Sequence, residues 1–208
     1  MDAQGCLQKL WELKDVAFAT VDAQGNPQVR IIDVMLVEEG RLYFCTARGK
    51  AFYRELLAAG RVAVTGLTPE YQSIRLRGRA EKLADARNWI DRIFAENPVM
   101  KDVYPGQSRY ILEPFCIREG ELEWFDLSRT PILREHFPLG EKTPAAERFG
   151  CQGFCITGDC TSCAACAEIC PQQCIASGHP YRILQEHCLH CGLCAETCPV
   201  KAIINKEG

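Results

Sequence analysis

Eight cysteines toward the C-terminus have a spacing that could bind iron. They form two runs with the same C-x2-C-x2-C-x3-C-P pattern, Cys160–Pro171 and Cys188–Pro199. Three closely spaced thiolates suit three corners of an iron–sulfur cube, and a fourth, more distant cysteine completes the set. The pattern therefore indicates two [4Fe–4S] clusters, which exchange one electron at a time.

Zinc sites and disulfides are the alternatives for cysteine-rich segments. Structural zinc takes its cysteines from two separated C-x2-C pairs, and disulfides are typical of small secreted domains. Neither explains two matching four-cysteine runs that each end in proline. The spacing favours the clusters.

The two runs resemble those of two-cluster bacterial ferredoxins. In that family the fourth cysteine of each run binds the cluster held mainly by the other run. The resemblance therefore implies two crossed ligand sets. One set is Cys160, Cys163, Cys166 and Cys198, and the other is Cys188, Cys191, Cys194 and Cys170.

Three further cysteines, Cys151, Cys155 and Cys174, lie near the two runs. Cys174 has the repeat position that Ala202 has in the second run, which favours a small side chain buried beside a cluster. Cys151 and Cys155 could instead hold a zinc ion, although no complete zinc pattern is visible. The third ligand would be Cys174 or one of His179, His187 and His190.

Composition limits the classes of function. The chain has 208 residues, of which 47% are hydrophobic, enough for one good-sized domain and a small one. Its net charge of −3 predicts no general attraction to nucleic acid or to an anionic membrane. The N-terminus lacks a basic and then apolar signal segment, and no apolar run has the length of a membrane span. Together with fourteen cysteines, this predicts a protein of the reducing cytoplasm.

Residues 1–127 alternate between strand and turn patterns. The sequence predicts a first helix over 6–14, a helix between Gly49 and Gly60, and an amphipathic helix over 85–96. A hairpin is expected over 109–126, with its turn at Glu119-Gly120. The other predicted strands cover 16–22, 28–37, 41–46, 61–67 and 72–83.

These elements predict a mainly β fold, a closed antiparallel β-barrel with inserted helices, joined to a small α+β ferredoxin domain with two clusters. The barrel domain is expected over 1–127 and the cluster domain over 151–208. Residues 128–150 contain three prolines and little periodicity, and are predicted to be a linker. No acid–base constellation stands out in the barrel, so catalytic residues are not assigned.

Residues 12–126 resemble the flavin-binding split barrel of the pyridoxamine 5′-phosphate oxidase superfamily. The resemblance rests on three segments, 29–33, 44–50 and 71–83, in that order. It implies that Arg48 and Lys50, at the start of a predicted helix, hold the phosphate of FMN together with Arg30. The free N–H groups of a helix start favour such an anion. The residues implied to border the flavin are Ile31, Ile32, Cys45, Thr46 and Gln72.

A flavin and cubane clusters in one chain can convert between single electrons and electron pairs. We therefore expect a reductase that takes electrons from ferredoxin or another low-potential donor. They would pass through the clusters to FMN, with FAD or a deazaflavin as alternatives, and then to a small molecule. A non-enzymatic electron-transfer module between protein partners and a flavin-binding redox sensor are the alternative functions. The barrel resemblance also implies a homodimer.

Overall fold

One antiparallel sheet dominates the computed structural model, which describes residues 1–140 and 153–206. Its strands follow the order β2-β1-β5-β6-β7-β4-β3, with β8 paired to β7. The protein is mainly β, an antiparallel split barrel with inserted helices, as predicted. The strands are β1 Asp15–Val21, β2 Pro27–Asp33, β3 Leu36–Glu38, β4 Arg41–Ala47, β5 Arg61–Leu67, β6 Gln72–Lys82, β7 Leu112–Asp126 and β8 Leu133–Leu139.

Four α-helices accompany these strands in the described part of the barrel region. They are α1 Ala3–Leu13, α2 Ala51–Ala58, α3 Ala86–Glu96 and α4 Met100–Val103, and a 3-10 helix covers Gly106–Ile111. The helix α1 begins earlier than predicted because the Asp2 carboxylate caps it, accepting a hydrogen bond of 2.7 Å from the Gly5 N–H.

Strand β4 is buried on both faces and organises the core of the barrel. On one face, Phe44 packs against Phe18 and Phe115, with ring centroids 4.8 and 5.6 Å apart. On the other face, Cys45 lies in an apolar cluster that includes Phe94 of α3. Consecutive side chains of a strand point to opposite sides, so neighbouring residues of β4 serve two separate clusters.

The hairpin expected at Glu119-Gly120 is wrong, because β7 runs without a turn from Leu112 to Asp126. A Cβ atom on Gly120 would lie 2.2 Å from the backbone oxygen of Arg77 and 3.0 Å from the Cα atom of Gly78. This glycine therefore allows β6 and β7 to approach closely. A glycine needed for close approach looks the same in sequence as a glycine of a turn.

The C-terminal elements are short, as expected for a small α+β region. Strand β9 pairs with β12, and β10 pairs with β11, both antiparallel. Each of the helices α5 and α6 contains the third cysteine of one run, Cys166 in α5 and Cys194 in α6. The elements are β9 Phe154–Ile156, α5 Ala165–Ile169, β10 Ile175–Ala176, β11 Arg182–Ile183, α6 Leu193–Thr197 and β12 Ile203–Asn205.

The described residues divide into two compact units. The first comprises residues 1–68, 73–123 and 137–140, and the second comprises 69–72, 124–136 and 153–206. The predicted linker over 128–150 therefore contains a strand, β8, and its part beyond residue 140 lies outside the described residues. Within the described ranges, no helix combines the length and apolarity that a membrane crossing needs.

Candidate cluster and cofactor sites

Two cavities in the second unit are lined by the predicted ligand cysteines. Each combines three cysteines of one run with the fourth cysteine of the other run. Their volumes, including the openings, are about 310 and 350 Å³. The smaller cavity contains Cys160, Cys163, Cys166 and Cys198, and the larger contains Cys170, Cys188, Cys191 and Cys194.

The structure thus brings together both crossed sets of four sulfurs, and a backbone N–H contact to the first cysteine recurs in each repeat. Backbone N–H groups point at ligand sulfurs, which stabilises negative charge there. Three such contacts, at 3.3–3.4 Å, are Ser162 N to Cys160 Sγ, His190 N to Cys188 Sγ, and Ala202 N to Cys198 Sγ. Thiol ligands with N–H donors in an apolar cavity fit an iron–sulfur cluster. Cluster binding by these eight cysteines stays a prediction.

The turns that present the cysteines use left-handed backbone. Gly192 has a φ of 81° at the start of α6, and its repeat counterpart Ala164 has a φ of 66° at the start of α5. The left-handed region is open to glycine and costs other residues free energy. The chain therefore accepts strain at Ala164 to keep the repeated geometry.

The larger cavity contains a fifth cysteine, Cys174, which is buried. Its Sγ atom lies 3.6 Å from the Sγ atom of Cys170. A hydrogen bond from Cys174 also lowers the pKa of Cys188, and the same contact raises the pKa of Cys174 itself.

Part of the predicted linker is anchored beside this larger cavity. The N–H group of Ile132 donates to the side-chain oxygen of Gln172 at 3.0 Å. The Nδ1–H group of His187 donates to the Ile132 carbonyl at 2.8 Å. Gln172 and His187 are near neighbours of Cys170 and Cys188 in the chain, so both bonds fix the segment close to two predicted ligands.

The zinc alternative finds no support among the described residues. Cys155 is disulfide-bonded, and a disulfide sulfur is not the thiolate that binds zinc. Cys151 lies outside the described residues. The other candidates have different partners: Cys174 lines the larger cavity, and the Nδ1 atom of His179 lies 2.7 Å from the Ser162 hydroxyl.

Among the residues predicted to hold a flavin, Arg30 lies on β2 and binds a buried acid. Its Nη2 atom donates to Glu55 Oε2 at 2.7 Å, and its Nη1 atom donates to the hydroxyl of Thr20. The guanidinium also lies over the Phe52 ring, 4.6 Å from the centroid. The structure therefore pairs Arg30 with α2, and sequence reasoning missed Glu55 as its partner.

Arg48 takes part in a second group of charges near the start of α2. Its Nη1 atom donates to Glu113 Oε1 at 2.9 Å, and Lys82 lies 3.0 Å from the other oxygen of the same carboxylate. Burial acts to raise the pKa of Glu113, but these two cations outweigh it and hold the pKa below its ordinary value. Lys50 stands exposed immediately before α2, where no side chain caps the helix.

Within the first unit, the residues predicted to border a flavin face different sides of their strands. Cys45 lies in the core cluster under α3, where burial raises its pKa to about 12. Thr46 faces the opposite side, and its buried hydroxyl has no hydrogen-bond partner among the described residues. Ile31 is exposed on β2, whereas Ile32 is half-buried on the other face. Gln72 belongs to the second unit, where its side chain donates to Asp126 at 3.3 Å.

Comparison with known families matches both parts of the chain. Residues 7–107 match the family model described as pyridoxamine 5′-phosphate oxidase. Residues 181–204 match the model of a 4Fe-4S binding domain. The protein joins a pyridoxamine 5′-phosphate oxidase-like split barrel to a 4Fe-4S binding domain. The second match includes the Cys188–Pro199 run, while the Cys160–Pro171 run lies before it.

Solved structures share the fold of the split barrel. A NimC/NimA family protein from Clostridium acetobutylicum has a TM-score of 0.56 at 21% identity, covering 66% of this chain and 92% of the other. A protein of the pyridoxinephosphate oxidase family from the same organism, related to general stress protein 26 of B. subtilis, has a TM-score of 0.52 at 14% identity, covering 66% and 96%. No curated protein gives a significant sequence match. An oxidase-type barrel and an iron–sulfur domain in one chain indicate a redox function.

Proposed function

We propose that this split-barrel protein is a flavin- and iron–sulfur-dependent reductase. It would take single electrons from a low-potential donor such as ferredoxin, through two [4Fe–4S] sites, and use FMN to reduce a small molecule. The observation that carries the proposal is the pair of cavities, each with a complete crossed set of four cysteines. Two such sites in the chain of a flavin-type barrel combine one-electron uptake with two-electron chemistry.

The surroundings of α2 support an anionic cofactor in the barrel. The helix begins after the exposed residues Arg48, Gly49 and Lys50, and its first N–H groups lack a side-chain cap. Free N–H groups and nearby cations favour a phosphate at a helix start. The hydroxyl of Thr46, which has no hydrogen-bond partner in the part of the chain that the structure describes, lies on the strand that leads into this turn. FMN, when bound, would accept and deliver electrons singly or as a pair.

The first test is the content of anaerobically purified protein. We expect about eight iron and eight sulfide per chain, together with one released flavin that chromatography identifies as FMN. The variant Cys198→Ala should lose about four iron, because this cysteine completes the smaller cavity. The variant Cys116→Ala, which removes a buried cysteine of the barrel, is the control and should keep all of its iron.

The second test follows electron transfer. With a reduced ferredoxin as donor, flavin reduction should slow at least tenfold in Cys198→Ala, whereas dithionite should still reduce the flavin directly. Equal rates of ferredoxin-driven reduction in the variant and the parent would contradict the proposed route. Turnover of a small molecule by the reduced protein separates a reductase from a non-enzymatic electron-transfer module.

A homodimer is part of this proposal. Strand β2 is an edge of the sheet, and it exposes Val29 by 72% and Ile31 by 62%. Their cross-strand partners on β1 are Ala19 and Ala17, so the small side chains of β1 continue this face. An exposed apolar face on an edge strand favours association with another protein surface. We infer that a second copy of the chain covers it.

A further inference from the structure

Cys174 is a fifth cysteine in one of two sites that share the same pattern of ligand cysteines. The cysteines, the left-handed turns and the N–H contacts to Cys160 and Cys188 all recur in both halves. The linings differ at several positions, such as Gln172 and its counterpart Val200, but only one difference places an extra sulfur beside the predicted ligands. Cys174 lines the larger cavity, and its repeat counterpart Ala202 lines the smaller one.

The geometry points to a tuning role for Cys174: its thiol donates a hydrogen bond to the ligand sulfurs of the larger cavity and makes that site the better electron acceptor of the two. This inference rests on the proposed function, since it concerns clusters in both cavities. It adds an order of filling, in which the first electron resides in the larger cavity.

The contacts of Cys174 support donation. Its Sγ atom is 3.6 Å from Cys170 Sγ, and Cys174 lines the same cavity as Cys188. Both neighbours are predicted ligands and would be thiolates, so the only proton in this group of three sulfurs is on Cys174. The thiol has one proton and donates to one of the two at a time. Burial keeps water from competing for it.

A donor to a ligand sulfur acts on the reduced state more than on the oxidised state. Reduction adds one electron, and the extra negative charge spreads over the sulfurs, where a hydrogen bond stabilises it. The electron comes from the low-potential donor, no bond breaks, and the proton stays on Cys174. The methyl group of Ala202 has no proton to donate, so the smaller cavity lacks this effect from that position.

The test is a redox titration of the two clusters, followed by electron paramagnetic resonance, in the complete protein. In Cys174→Ala we expect the higher midpoint potential, that of the larger cavity, to fall toward the lower one, while the iron content stays at the parent level. Cys174→Ser, which keeps a hydrogen-bond donor, should restore most of the separation. Ala202→Cys is the reciprocal variant and should raise the potential of the other site.

The outcomes separate the inference from the proposed function. Unchanged potentials in Cys174→Ala with full iron content would overturn the tuning role alone. Loss of about four iron in Cys174→Ala would also overturn it, because Cys174 would then be a ligand and not a donor. Absence of iron from the anaerobically prepared parent protein would overturn both proposals.

Discussion

Glu113 is a buried acid of the barrel that contacts two cations. One of them, Arg48, was predicted to hold a phosphate, and the other, Lys82, was not. The Glu113 carboxylate accepts from Arg48 and pairs with Lys82, and each cation is partly exposed. The pair of contacts explains why an acidic side chain is stable on β7 with only 6% of its surface exposed. It also orients Arg48 just before α2.

Replacing this acid should weaken the fold in a pH-dependent way. We expect Glu113→Gln to lower the free energy of unfolding at pH 7 by about 1–3 kcal/mol, since charge-assisted hydrogen bonds are lost. The folded pKa of Glu113 lies below its unfolded value. Its stabilisation is therefore present above the unfolded pKa and is lost as pH falls through the folded pKa.

Denaturant unfolding between pH 7 and pH 3 checks this expectation. The difference between the parent and Glu113→Gln should shrink as the acid end is approached. Lys9→Gln, which alters an exposed pair on α1, is the control and should change little at any pH. A difference that stays constant with pH would exclude the carboxylate charge as the cause.

Lys50 is the residue best placed to report on a phosphate at α2. It is exposed and precedes the uncapped helix, so its removal should leave the core intact. A charge-assisted contact contributes about 1.5–3 kcal/mol, so Lys50→Ala should weaken FMN binding by about 10- to 100-fold. Fluorescence titration of flavin-free protein measures this.

A matched variant, Lys101→Ala, removes an exposed lysine from α4 and should leave FMN affinity unchanged. Arg48→Ala is less direct, because it also frees the Glu113 carboxylate from one of its partners. Equal affinity for FMN in Lys50→Ala and the parent would remove Lys50 from the site.

At the scale of elements, the close approach of β6 and β7 depends on Gly120. A Cβ atom there would overlap the Arg77 backbone oxygen, and backbone cannot move as a flexible side chain can. We expect Gly120→Ala to lower the free energy of unfolding by about 1–3 kcal/mol or more. Thermal unfolding measures the change.

Gly25→Ala is the control for this substitution, because it also replaces a glycine by alanine but causes no steric clash. Gly25 has a φ of 85° but no atom within 4 Å of its Cβ position, so alanine there tests backbone strain without a clash. A smaller loss in Gly25→Ala than in Gly120→Ala is the expected order. The reverse order would show that the strand contact adjusts easily.

At the scale of the whole molecule, the apolar edge on β2 should decide the oligomeric state. A charge at Ile31 would have to be buried in a contact between copies, which is unfavourable without a partner. We expect Ile31→Glu to convert the dimer into a monomer of 23.3 kDa, measured by light scattering after gel filtration. Val99→Glu, at a residue that is 73% exposed and outside β2, should remain dimeric.

A parent protein that is monomeric at the same concentration would refute the homodimer directly. If both Ile31→Glu and Val99→Glu stay dimeric, the contact between the two copies uses another surface. If Ile31→Glu is monomeric, its flavin content shows whether flavin binding depends on association.

The sequence by itself determined the elements whose signal is local. Cysteine spacing, with the resemblance to two-cluster ferredoxins, predicted both crossed ligand sets, and the structure places each set around its own cavity. Short-range periodicity predicted the antiparallel barrel and, for β5, the same bounds over 61–67 that the structure has. These features depend on neighbours along the chain, where residue type and spacing already carry the physical constraint.

Only the tertiary structure decided what depends on contacts between distant segments. It assigned Gly120 to a close strand approach, paired Arg30 with Glu55 and Arg48 with Glu113, and placed Cys45 in the core cluster that includes Phe94. It also placed Cys174 in the same cavity as Cys188 of the other run. Each of these depends on which residues the fold places opposite one another. The sequence pattern of a single segment does not show which residues of another segment it will contact.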